Sequence, residues 1–140
     1  MNKNEYRIKN KEQGTSKEWK IFDLEDRLID FAVRIIPISE SLPKTRIGRH
    51  VSGQIVRCGT SPAPNYGEAQ GAESRADFIH KMKICLKELR ETRAWLLIMV
   101  KAELVKPVSK LNPLIDENNQ LISIFVKSIQ TARQNLDKAS

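Results

Sequence analysis

His50 and His80 are the only imidazoles in the 140 residues, and neither has a second metal-type ligand three or four places away on an inward helical face. Transition-metal sites need three or four such ligands, so the sequence implies no metal and no cofactor. Asp77 stands three residues before His80, the spacing of neighbours on one helix face, and reads as a hydrated or capped surface pair. Serines are plentiful, but there is no Gly-x-Ser-x-Gly elbow, and Gly48, Gly53 and Gly59 lack the order and the Lys-Ser ending of a phosphate-cradling loop. Glu88 and Glu91 are spaced like paired carboxylates, yet they lie among Lys83, Lys87, Arg90 and Arg93 and read as pairing and solubility groups. Turnover chemistry is therefore the weakest class, and the chain reads as non-enzymatic. A different pattern stands out upstream. Arg46, Arg49, His50, Gly53 and Arg57 fall within an arc of roughly 100° at the 100° per residue of a 3.6-residue turn. No acidic residue occurs between Glu40 and Glu68. Such a face is either a solvated helix surface or a surface for phosphates; on the second reading Arg46, Arg49 and Arg57 are the contacts to RNA or DNA.

These arginines need a helix, and the spacing predicts one from about Arg46 to Cys58, with Ile47, Val51, Ile55 and Cys58 on its buried side. Gly59 and the run Ser61, Pro62, Ala63, Pro64 break or kink it, because proline lacks an amide and restricts the residue before it. Asn65 and Glu68 repeat a cap-box spacing, so one or two turns resume before Gly71. The next segment organises the rest. Ser74 and Asp77 form a capping box for a long helix from Arg75 to about Leu104, along which Phe78, Met82, Cys85, Leu89, Thr92, Leu96 and Met99 recur at alternating fours and threes. Lys87 and Glu91 are spaced for an i,i+4 pair on its outer side. The run from Ala94 to Val100 is apolar all round, and a helix outside a lone bundle has no way to bury every face. Trp95, Leu97 and Ile98 are therefore nominated as contacts to a second subunit.

Upstream, Asp23 is a cap for a first helix, LEDRLIDFAVRII, with Leu24, Leu28, Ile29, Ala32, Ile35 and Ile36 on its buried face and Trp19 and Phe22 folded back before it. Downstream, Pro107 stops the long helix. Asn112 and Pro113 then open a fourth, with Leu114, Leu121, Ile122, Phe125, Ile129 and Leu136 as its stripe and the polar patch Asp116–Gln120 loosening it. Four helices with short links predict an all-α, left-handed, antiparallel up-and-down four-helix bundle over residues 21–137, preceded by a flexible arm over residues 1–20.

Composition agrees with one compact domain. Apolar residues make up 40% of the chain and aromatics 6%, and the long periodic segments are rich in Leu, Ile, Lys, Glu, Arg and Ala. The formal charge of +7 makes an acidic partner plausible, nucleic acid above all, since cations that neutralise phosphates release counterions. Cys58 and Cys85 sit at apolar helical positions without Cys-x-x-Cys spacing, as buried free thiols of a reducing compartment do. The first twenty residues lack the apolar core of a secretory signal, and no stretch approaches the ~18 apolar residues of a membrane span. The expected location is the cytoplasm, with no membrane partner.

The stretch RCGTSPAPNYGEAQGAESRADFIHKMKICLKELRETRAWL resembles a bacterial four-helix-bundle family first described as reading frames in intervening sequences of large-subunit ribosomal RNA genes. The resemblance runs from Phe22 to about Arg133. It is carried by the proline corner, Asn65 with Glu68, Ser74, the Asp77-Phe78 pair and the run Lys87-Glu88-Leu89-Arg90-Glu91-Thr92. It implies a left-handed antiparallel bundle and, in related proteins, a homopentameric ring. The family is also similar to the accessory variability determinant of diversity-generating retroelements, a basic pentamer that binds nucleic acid and a reverse transcriptase. The chain departs from the commoner pattern at the first helix, where LEDRLIDFA follows Phe22 in place of a Trp-containing entry. The leading reading is a homo-oligomeric bundle that offers a basic surface to nucleic acid. The alternative is a protein-interaction scaffold working through the Trp95 region or the mixed-charge helix. A third is a small enzyme with its pocket at Asn65, Glu68 and Ser74.

Overall fold

The computed structural model describes residues 24–139, all of them helical or in the connections between helices. The N-terminal arm, the Trp19–Phe22 entry and the cap at Asp23 lie outside the described residues. Helix α1 is Leu24–Glu40, α2 Arg46–Thr60, α3 Pro62–Gln70, α4 Arg75–Lys101 and α5 Asn112–Ala139, with a 3-10 turn at Val108–Leu111 before α5. Helices α2 and α3 form one kinked arm: Ser61 keeps right-handed helical angles, its amide donates to the Arg57 carbonyl, and the Asn65 amide donates to Ser61. The kink falls where Pro62 has no amide to continue the ladder. Counting that arm once, the fold is a four-helix bundle. The α1–α2, α3–α4 and α4–α5 pairs carry most of the packing, and α2 and α5 lie against α4 and α1 to complete it.

Helix α4 is central because six of the seven seam residues read from the sequence are buried: Met82, Cys85, Leu89, Thr92, Leu96 and Met99. The seam begins at Ile79, while Phe78 is only partly buried against the core. Its start is fixed as the sequence implies, with Ser74 Oγ accepting from the Asp77 amide at 3.0 Å and Asp77 Oδ2 accepting from the Glu73 amide at 3.2 Å. A hydrogen-bonded Lys81 ammonium and that amide hold the Asp77 carboxyl below its usual range. The direct hydrogen-bonded partner of Asp77 is thus Lys81, with His80 a weaker charge neighbour.

The end of α4 differs from expectation. The helix stops at Lys101 and not near Leu104, and its terminator is not Pro107: Glu103 adopts φ 51°, the Glu103 amide donates to Val100 and the Leu104 amide to Met99. This is a Schellman closure with a glutamate in the left-handed position that normally takes glycine. The chain then turns in, burying Val105 and Leu111, and enters α5. The patch Asp116–Gln120 does not loosen α5. Asn118 is fully buried and donates to the Leu89 carbonyl at 3.1 Å, while Glu117 takes a two-pronged bond from Arg27 of α1, which also reaches Gln120.

Helix α1 is rotated relative to the reading from sequence. Leu28, Phe31 and Ile35 are buried, but Ile29, Val33 and Ile36 are 41%, 58% and 47% exposed. At 100° per residue these three form a second apolar stripe roughly 100° around the helix from Leu28 and Ile35. Ile47 is likewise outside, because the first turn of α2 is held at the neighbouring position, Gly48, where a Cβ would run into the Pro43 carbonyl.

Candidate nucleic-acid interface

Helix α2 carries the arginines and begins at a side-chain cap: Thr45 has extended backbone angles and its Oγ1 accepts from the Gly48 amide at 3.1 Å. Gly48 lets the α1–α2 turn lie directly on the helix, and Leu42 beside it is buried. Arg49 then reaches back, its Nη1 donating to the Lys44 carbonyl at 2.8 Å. The turn and the first turn of α2 are thus one rigid unit that presents Lys44, Arg46 and Arg49 outward; all three side chains are exposed. Among the described residues none of the three forms an ion pair.

Arg57 is placed differently. Its Nη1 donates to Glu88 at 3.2 Å and its Nη2 donates to Glu91 and, at 3.4 Å, to Gln54. Desolvation works against its charge, but Glu91 and Glu88 outweigh it and raise its pKa above the ordinary guanidinium value. The same Glu91 Oε2 accepts from the Trp95 indole N–H at 3.3 Å, and Trp95 meets His50 edge-on with ring centroids 5.8 Å apart. Arg57, His50, Glu88, Glu91 and Trp95 therefore form a strap that ties α2 to α4. The sequence singled out Glu88 and Glu91 as pairing groups, but their partner is Arg57 on another helix; Glu91 does not pair with Lys87. Among the described residues the free cations of the arginine face are Arg46 and Arg49.

The nominated subunit contacts are also divided. Trp95 is half-buried in that strap, whereas Leu97 and Ile98 line an apolar surface groove of about 600 Å³ with Arg93, Ala94, Lys101 and Ala102. At the proline corner Asn65 is not a cap but sits inside α3, its side-chain amide donating to the Ser61 carbonyl at 3.0 Å and to Ser61 Oγ at 2.8 Å, which braces the kink. Cys58 and Cys85 are buried free thiols; burial raises both, Cys85 to about 12. Among the described residues no group of three His, Cys, Asp or Glu side chains is arranged to hold a metal ion, and no helix is long and apolar enough to cross a membrane.

Sequence reasoning missed the α1 stripe of Ile29, Val33 and Ile36 and the contribution of Lys44. The signal for Lys44 was its place in the acid-free stretch two residues before Arg46. For the stripe, the signal was the presence of more apolar positions on α1 than one helix face can bury.

None of the curated proteins matches the chain. Among solved structures, a protein of unknown function from the S23 ribosomal protein family of Bacteroides thetaiotaomicron VPI-5482 is 33% identical, with a TM-score of 0.70 over 76% of this chain and 97% of that one. The profile described as 23S rRNA-intervening sequence protein matches residues 22–127, from the entry to α1 through most of α5. By that match and that likeness, the chain belongs to the 23S rRNA-intervening sequence protein family.

Proposed function

We propose that this protein is a non-enzymatic, homo-oligomeric bundle that binds nucleic acid, RNA first, through the phosphate backbone. The observation that carries the reading is the start of α2: Arg46 and Arg49 stand exposed beside Lys44 on an acid-free segment, without ion pairs among the described residues. Guanidiniums fit phosphate because they offer several donors in one plane and keep their charge at any physiological pH. Arg57, engaged by two carboxylates, contributes less to binding than to holding α2 in place. The family's name links its members to intervening sequences of 23S rRNA, which makes structured RNA the natural first ligand.

Self-association is supported by two separate apolar surfaces, the Ile29–Val33–Ile36 stripe of α1 and the Leu97–Ile98 groove of α4. Helices α1 and α4 are diagonal in the bundle, so their outer faces point away from each other. Two unlike patches on opposite sides suit head-to-tail contacts, which close into a ring when the rotation allows. A ring would repeat the basic surface about its axis and raise avidity through effective concentration. The same patches favour the second reading, a scaffold whose ligand is another protein.

Anisotropy titration of a labelled RNA hairpin at 50 mM salt tests the proposal. Micromolar or tighter binding that weakens at least tenfold in Arg46→Ala/Arg49→Ala, and less in Arg57→Ala, is the expected result. A wild-type protein that leaves the hairpin free, but holds one protein partner after nuclease treatment, would establish the scaffold instead.

A further inference from the structure

We infer that the nucleic-acid surface is one whole end of the bundle, completed by lysines from the α4–α5 connection, and that it takes a duplex backbone and not an unstacked single strand. The inference rests on the nucleic-acid reading above and names its site and ligand class.

Helices α2 and α4 run antiparallel. Arg57 lies against Glu88 and Glu91, and His50 against Trp95, so the register carries Arg46 to the level of the last turn of α4, around Lys101. The α1–α2 turn and the α4–α5 connection therefore close the same end of the molecule, and both plug it with buried side chains, Leu42 from one and Val105 and Leu111 from the other. On the outside of that end stand Lys44, Arg46, Arg49, Lys101, Lys106 and Lys110, all exposed, against the carboxylates Glu40 and Glu103. None of the six cations forms an ion pair among the described residues. Elsewhere three cations are compensated, Arg27 by Glu117, Arg57 by Glu88 and Glu91, and Lys81 by Asp77, while Lys83, Lys87, Arg90, Arg93 and Lys127 stand exposed but spread along the helix faces among the glutamates of α4 and the polar groups of α5. The opposite end is close to balanced, with Glu25, Asp26, Glu68, Glu73, Asp77 and Asp137 beside Arg27, Arg75, Lys81, Arg133 and Lys138. The excess of positive charge therefore lies at one end of the bundle, where Lys101 from the last turn of α4 and Lys106 and Lys110 from the connection join the arginines although more than fifty residues separate them in sequence.

The ligand class follows from what else that end offers. Strand-unspecific binders of single strands stack bases on exposed aromatic rings, each worth roughly 1–3 kcal/mol. Here no described aromatic offers a free face at that end: Phe31 and Phe125 are buried, Tyr66 lies against Phe125, Trp95 is strapped to His50 and Glu91, and the partly buried Phe78 stands at the opposite end, in the first turn of α4. Point charges on a rigid end about two helix diameters wide, roughly 20–24 Å, suit closely spaced phosphates of a duplex, one charge per ~1.7 Å of axis.

The test is a salt titration of the full chain with a 20-base-pair RNA hairpin and with a 20-nucleotide oligo-uridine strand. It compares wild type, Arg46→Ala/Arg49→Ala, Lys101→Gln/Lys106→Gln/Lys110→Gln and a control of equal charge loss, Lys83→Gln/Lys87→Gln/Arg90→Gln, each shown folded by circular dichroism. The expected result is hairpin binding tighter than oligo-uridine binding. The lysine triple should lose at least tenfold, with its log–log salt slope shallower by about 2–3, while the control loses under threefold. Loss in the arginine variant with the lysine triple intact would overturn this inference and leave the function standing. Equal loss in the control triple would overturn a localised end, and tighter oligo-uridine binding the duplex. A wild-type chain that binds neither probe would remove both proposals.

Discussion

Helix α2 contains three glycines whose replacement by alanine should give three different signs or sizes, and the series measures how closely the bundle is packed around the basic end. At Gly53 an added Cβ meets nothing within 4 Å and the position is exposed. Alanine there only removes backbone freedom from the unfolded chain, so Gly53→Ala should stabilise by about 0.5–1 kcal/mol. At Gly59 the Cβ would lie 2.9 Å from Ile35 Cγ1 and 3.1 Å from Cγ2, inside the core but against a side chain that can shift. The helix gain and the overpacking nearly offset, leaving a loss of about 0–2 kcal/mol. At Gly48 the obstacle is the Pro43 carbonyl, with its carbon at 2.8 Å, and a backbone group cannot rotate away. Gly48→Ala has to push the α1–α2 turn off the helix, exposing Leu42 and loosening the Arg49–Lys44 bond. We expect a loss of about 2–4 kcal/mol, from overpacking and partial exposure of one leucine. Urea denaturation followed at 222 nm, at one fixed protein concentration, reads all three. If Gly48→Ala is as stable as wild type, the turn does not lie on α2, and the placement of Lys44 beside Arg46 falls with it.

Glu103 sits in the left-handed position at the end of α4, so Glu103→Gly should stabilise by about 1 kcal/mol and, by removing one of two carboxylates from the basic end, tighten hairpin binding; a lower melting temperature would refute the closure described here. Among the described residues the fully buried Asn118 Oδ1 has no partner, so Asn118→Leu, of similar volume, should raise stability by about 1–3 kcal/mol in chemical denaturation. A loss there would mean that this oxygen is satisfied. Burial holds the Cys85 thiol protonated up to about 12, so the native protein should resist iodoacetamide at pH 8 and react fully in urea. The sign for stability follows: the folded pKa is raised, so this contribution is complete below the unfolded thiol pKa and is lost as pH rises from there through about 12.

The long helix was legible because its seam alternates fours and threes without interruption and its start is written as a side-chain cap; local chemistry and burial agree at every step from Met82 to Met99. Helix α1 was not, since its apolar residues cover two stripes and only tertiary contact decides that Phe31 goes inward while Ile29 and Ile36 stay outside. The end of α4 was misread for a related reason. Proline announces a stop, but Glu103 makes the turn four residues earlier at a cost that the buried Val105 and Leu111 offset. On the arginine face, helical geometry alone placed Arg46, Arg49 and Arg57 together; which of them keeps a free charge depends on Glu88 and Glu91, more than thirty residues away. The polar patch in α5 illustrates the same point, because Asn118 and Glu117 acquire their roles only from Leu89 and Arg27.

The salt dependence of wild-type binding to a 20-base-pair duplex bears most directly on the whole account. With four to six of the basic-end cations neutralising phosphates, log K against log salt should fall with a slope of about −3.5 to −5.5, on the scale of −0.9 per phosphate for a DNA duplex. A slope near zero, or no complex at 50 mM salt, would contradict it.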